Sequence, residues 1–131
     1  MKISYGFITG AAFCLAIAGP VMAQSTAHGA ALFSAECSAC HSATPGENGV
    51  GPSLAGIYGM RAAMVPGYKY SLALRQSHIV WTTDALESFL ANPAVDVAGT
   101  AMPHPGTEMH MAMPSAIDRG DIIAYLRTLR Q

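Results

Sequence analysis

Cys37-Ser38-Ala39-Cys40-His41 is the stretch of this 131-residue chain whose residue types and spacing can do chemistry together. Two thiols three residues apart share one turn, so each can add to one of two neighbouring vinyl groups of a haem. The imidazole that follows is then carried beneath the ring towards the iron. C-x-x-C-H is therefore an attachment signal for a covalently bound haem. The other uses of a cysteine pair need companions that are missing here. A thioredoxin-like redox pair needs a surrounding βαβ pattern, and a structural zinc site needs a second Cys pair. A plain disulfide in a small exported protein stays open as an alternative.

An iron with one protein ligand is open to small molecules, whereas a carrier fills the sixth position, commonly with methionine. The segment Val95 to Pro114 offers Met102, Met109, Met111 and Met113, with His104 and His110 as rivals. A single methionine is ordinarily a soft core filler. Four of them in a stretch broken by three prolines and two glycines form no helical stripe, which points to at least one ligand.

The elements that must position these groups are helical. Thr26 to Cys37 is expected to form a first helix capped by Thr26, with Ala30, Phe33 and Cys37 at helical spacing. Ser42 to Pro66 is rich in Gly and Pro and reads as loop. Thr82 to Ala91 is expected as a second helix, capped by Thr82 or Thr83, with Leu86, Phe89 and Leu90 on one face. Asn92-Pro93 stops it, because a residue before proline avoids the helical region. Asp118 to Leu129 is the last helix, buried along Ile122, Ile123, Tyr125, Leu126 and Leu129. Asp118 and Asp121 favour its first turn, and Arg127 and Arg130 its last. No convincing strand pair is present. The fold expected is all-α, with long loops that need something central to hold them.

Hydrophobic residues make up 51% of the chain and charged residues 11%, and much of the apolar excess lies in the first 23 residues. Lys2, an uncharged run from Ile3 to Ala18, a Gly19-Pro20 break and Val21-Met22-Ala23 form the pattern of a secretory signal cut after Ala23. The apolar run is shorter than the ~20 residues of a spanning helix, although an uncleaved anchor is the alternative. Cys14 would leave with the signal. The domain from Gln24 to Gln131 then keeps one lysine and five arginines against eight acids, a net excess of two negative charges. With no basic run, it has no electrostatic footprint for nucleic acid. A domain this short buries only about two thirds of its unfolded surface, so an internal cofactor would help it fold.

These residues resemble the class I cytochromes c, soluble monohaem proteins of bacteria and mitochondria, over nearly all of Thr26 to Leu129. Gly29 and Phe33 stand where that family has a glycine and an aromatic before the first haem cysteine. Gly51-Pro52-Ser53-Leu54-Ala55-Gly56 fits its Gly-Pro-x-Leu-x-Gly. Asp118-Arg119-x-Asp121-Ile122-Ile123-Ala124-Tyr125-Leu126 matches its C-terminal helix. The resemblance implies a small fold of three to four helices wrapped around one haem c, its iron ligated by His41 and its ring bonded to Cys37 and Cys40. It further implies that the Pro52 carbonyl accepts the His41 ring proton. Tyr70 and Trp81 would reach a haem propionate, and Gly29 would let Tyr125 approach the first helix.

For the sixth ligand the family string Pro-Gly-Thr-x-Met selects Met109 through Pro105-Gly106-Thr107-Glu108-Met109. Counting forward from Asn92-Pro93 selects Met102 through Gly99-Thr100-Ala101-Met102. Met109 is preferred, with an insertion of about seven residues in this segment. Three departures from the family pattern stand out. Phe89 replaces a tyrosine near the axial methionine. Arg61 is one place off the propionate arginine. The lysine ring of the mitochondrial members is missing, so docking is expected to use an apolar haem edge lined by Met and Ala.

The function implied is a periplasmic single-electron shuttle and not an enzyme, since no acid, base or nucleophile set accompanies the motif. It would act as a monomer between a redox protein donor and acceptor, such as membrane complexes or periplasmic dehydrogenases, with no nucleic acid partner. The alternative is a haem enzyme or a gas- or peroxide-binding sensor with a labile sixth ligand.

Overall fold

The computed structural model describes Met1, residues 23–102, Met113 and residues 115–130. Among these described residues five α-helices follow in order: α1 Thr26–Leu32, α2 Leu72–Ser77, α3 Thr83–Ala91, α4 Pro93–Asp96 and α5 Ala116–Leu126. Among the described residues there is no strand, only an isolated antiparallel bridge between Arg61 and Val80. The all-α expectation therefore holds.

The cap of α1 is Ser25, not Thr26: its backbone is extended and its hydroxyl accepts the His28 N–H. An extended residue can present its oxygen to an orphan amide of the first turn, whereas Thr26 is already helical. The helix does not run regularly to Cys37 either. Phe33–Cys37 widens into a π turn, with Ser38 N–H reaching the Phe33 carbonyl at 2.9 Å. The wider turn leaves both Phe33 and Cys37 buried, in keeping with the habit of such turns to sit at functional positions.

α1 and α5 cross at Gly29. A β-carbon there would stand 1.9 Å from the Asp121 carbonyl oxygen and 3.0 Å from Tyr125 Cβ. The glycine thus admits the α5 backbone itself, more than the Tyr125 ring. That ring instead packs against Phe33, centroids 5.4 Å apart and tilted by 58°. Asp121 is buried beside the crossing and accepts from Ser25 N–H at 2.6 Å, and it pairs with His28 Nδ1 at 2.8 Å. Its carboxylate serves the start of α1 and not the dipole of its own helix. The His28 contact, then the Ser25 amide, hold its pKa below the usual carboxylate value.

α5 begins two residues before the expected Asp118, because Ser115 caps it through Asp118 N–H at 3.2 Å. Ile122, Ile123 and Leu126 carry its buried face, each 2% exposed or less. Arg127 leaves the helix end and lies over the Tyr58 ring at 5.2 Å. α3 begins at Thr83 with Thr82 as cap and buries Leu86, Phe89 and Leu90, as the spacing predicts. Asn92-Pro93 ends α3 and also opens α4, with Asn92 as its cap and Pro93 in its first turn.

α2 was not anticipated. Its six residues are too few to show a helical period, and Ser71 caps it while left-handed His78 ends it. Arg119 ties α5 to α3 through Glu87 at 2.8 Å and to the Met113 carbonyl at 2.6 Å. The loop after His41 is folded by its own polar contacts. Asn48 accepts from Ser53 N–H at 2.9 Å and donates to the Pro66 carbonyl at 3.0 Å. Buried Ser53 donates to the Thr44 carbonyl at 2.7 Å.

Candidate haem site

The π turn delivers Cys37 into the interior, and the next turn places the imidazole. Cys40 N–H and His41 N–H both reach the Cys37 carbonyl, at 3.1 and 2.9 Å. His41 Nδ1 then donates to the Pro52 carbonyl at 2.7 Å, as the resemblance implied. That bond fixes the ring and the tautomer, leaving Nε2 with a free lone pair. Burial lowers the His41 pKa, and the Pro52 bond offsets only part of that, so the ring is neutral at physiological pH. Neutral imidazole is the form that ligates iron.

Gly51 determines how closely the loop can approach. A β-carbon there would overlap the His41 ring, at 2.3 Å from Cε1 and 2.8 Å from Nε2. Gly51 N–H closes the loop on the Cys40 carbonyl at 2.8 Å. The sequence showed Gly51-Pro52 only as part of a motif. The close approach that makes residue 51 glycine needs the fold to be seen.

Above this histidine opens a cleft of about 1000 Å³, counting its mouth. Cys37, His41 and Pro52 line it together with Tyr70, Trp81 and Met102. Leu86, Phe89, Leu90, Ile122 and Leu126, which periodicity marks simply as core, line it as well. Trp81 is 6% exposed and packs edge-on to Phe89, centroids 5.0 Å apart. Phe89 brings no hydroxyl to this wall. Tyr68, not singled out by the sequence, stands edge-on to Tyr70 at 4.8 Å and donates its hydroxyl to the Val50 carbonyl at 2.7 Å. Arg61 is exposed, its guanidinium on His78, and is not among the cleft-lining residues. Met109 and its neighbours Met111, His104 and His110 lie outside the described residues. Met113 is buried in the core at 4% exposure.

Two features test whether a haem belongs here. The Tyr70 hydroxyl is buried without a hydrogen-bond partner among the described residues. Burial pushes its pKa up, and the nearby Val65 backbone offsets part of that. An orphaned buried hydroxyl costs about 1–3 kcal/mol, and an acceptor within the cleft, such as a haem propionate, would relieve it. The second feature is the thiols. Both cysteines are free. Burial, with Glu36 and Cys40 adding, pushes the Cys37 thiol up to about 11. Such a sulfur is a protonated thiol at neutral pH. No cluster of metal-binding His, Cys, Asp and Glu exists among the described residues. One neutral imidazole, two thiols three residues apart and an apolar slot therefore fit a haem. When bound, that group supplies one-electron exchange at its iron.

Known proteins agree with this geometry. A family model described as cytochrome c matches residues 26–130. Cytochrome c of Euglena viridis is 42% identical over 78% of this chain and 94% of its own length. Cytochrome c2 of Rhodopila globiformis is 44% identical over 76% of this chain and 88% of its own. The solved structure of cytochrome cH from Methylobacterium extorquens superposes with a TM-score of 0.69 at 37% identity, covering 79% of this chain and 98% of that one. The chain belongs to the cytochrome c family, in its class I branch, and is an electron carrier whose c-type haem is bonded covalently through Cys37 and Cys40.

Proposed function

We propose that this protein is an exported, periplasmic monohaem carrier with His/Met axial ligation, passing single electrons between a redox protein donor and a redox protein acceptor. The observation that carries the reading is the half-buried, neutral His41, oriented by Pro52 at the edge of an apolar cleft whose wall includes Met102. A sulfur ligand in the sixth position would shut the iron off from small molecules and raise the potential. Apolar walls keep water away and hold the geometry still during transfer.

Met109 is the preferred ligand, selected by its Pro-Gly-Thr-x-Met string, and Met102, which lines the cleft, is the alternative. Met102→Ala and Met109→Ala, each compared with wild type by ferric absorption and midpoint potential, separate the two. The true ligand is the one whose loss abolishes the weak sulfur-to-iron band at the red end and lowers the potential sharply. A wild-type ferric spectrum that is high-spin and shifts with cyanide would assign the protein instead to the open-iron class of haem enzymes and sensors.

Export rests on the apolar leader and on a cut after Ala23. Residues 2–22 of that leader lie outside the described residues. No helix among the described residues is long and apolar enough to cross a membrane. The two surplus acids and the exposed Val50 at the cleft rim support docking as a monomer through an apolar edge.

A further inference from the structure

We infer that Gln24, freed as the first residue of the exported chain, closes on itself to a pyroglutamyl lactam seated on the Gly120 face of α5. The inference rests on the cleavage after Ala23 proposed above and extends it to the chemistry of the new terminus.

The chain is anchored from its second exported residue. Ser25 N–H donates to Asp121 Oδ1 at 2.6 Å, and the Ser25 hydroxyl accepts from His28 N–H at 3.1 Å. Gly29 N–H closes on the Ser25 carbonyl at 2.8 Å. Residue 24 is therefore held one residue ahead of fixed structure, where most chain ends trail into solvent. Its side chain lies against α5: a β-carbon on Gly120 would stand 3.2 Å from Gln24 Nε2 and 3.7 Å from its Cγ and Cδ. Gly120 itself is buried. Gln24, Ser25, His28, Ile117 and Asp121 line one groove on this side of the molecule.

An N-terminal glutamine carries a nucleophile and an electrophile spaced for a five-membered ring. The α-amine attacks Cδ. The Nα–Cδ bond forms, the Cδ–Nε2 bond breaks, and Nε2 departs as ammonia with a proton from the amine. Nothing is oxidised or reduced, and no co-reactant is needed. The site does not oppose loss of the amino charge. Asp121, which lines the same groove, already accepts from the Ser25 amide and pairs with His28, so its two oxygens are engaged without an α-ammonium. The absence of a side chain at Gly120 leaves space for a compact ring over the helix backbone. The product is a terminus with no charge and no free amine, which aminopeptidases do not open.

The test is the intact mass of the undigested, exported holoprotein at neutral pH, with its sensitivity to pyroglutamyl aminopeptidase. The expected mass is that of Gln24 to Gln131 with haem, less one ammonia, and the terminus is blocked to stepwise degradation until that enzyme is added. Gln24→Ser is expected to give the full, uncyclised mass and an open terminus at the same position. A wild-type chain that starts with free glutamine at 24 overturns the ring closure and leaves the cleavage standing. A chain that starts anywhere else overturns both.

Discussion

The crossing of α1 and α5 and the cleft beside it share the α5 side chains Ile122 and Leu126, yet they are built differently. At the crossing every group has its counterpart. The Asp121 carboxylate meets Ser25 and His28, Phe33 meets Tyr125, and Gly29 lets two backbones touch. The cleft is different. Leu86, Phe89, Leu90 and Met102 line it with apolar surface, and the buried Tyr70 hydroxyl has no partner among the described residues. The crossing is thus a scaffold determined by the polypeptide, and the cleft is half of an interface whose other half is the haem.

The sharpest way to break this comparison is to add one methyl group to each side. Gly29→Ala sets a β-carbon against the Asp121 carbonyl, a backbone atom that cannot give way, and is expected to cost the holoprotein about 3 kcal/mol in denaturant unfolding. Its haem spectrum should be unchanged. Gly51→Ala presses on the His41 ring, so it should move the spectrum and potential more than the unfolding midpoint. Equal disturbance of both readouts by both variants would end the distinction between scaffold and cofactor interface.

Acid should probe the crossing through Asp121. Its folded pKa lies below the unfolded value of ~3.9, so its contribution is complete above about pH 4 and is lost as the pH falls through the depressed native value. Stability of wild type and Asp121→Asn measured across pH should therefore differ most near neutrality and converge in acid. A gap that widens in acid would contradict the assignment.

Tyr70→Phe tests the cleft more gently. If the hydroxyl meets a propionate, its removal should cost the holoprotein about 1 kcal/mol and shift the potential. An unchanged potential would separate Tyr70 from the cofactor. The smallest effect is expected from salt. With two surplus acids and an apolar rim, the electron-transfer rate should change by less than about tenfold between low and high ionic strength. A change of several orders of magnitude would mean that charge, not the apolar edge, directs docking.

The ends of the chain were the most legible. Ile122, Ile123 and Leu126 form the buried face of α5 because a long apolar stripe at helical spacing has one way to be hidden. Caps were less so: Ser25 and Ser115 took the role because cap geometry depends on which residue is extended, not on residue type alone. The six-residue α2 left no periodic trace. By itself, the sequence determined the covalent chemistry and the family, because C-x-x-C-H, the Gly-Pro-x-Leu-x-Gly string and the last helix are local patterns of bonded neighbours. Only the tertiary structure decided that Gly29 faces a backbone carbonyl, that Gly51 sits against the His41 ring, that the Tyr70 hydroxyl has no partner among the described residues and that Met102 reaches the cleft wall. Those are contacts between segments distant along the chain, set by how helices and loops pack in three dimensions, and no local pattern encodes them.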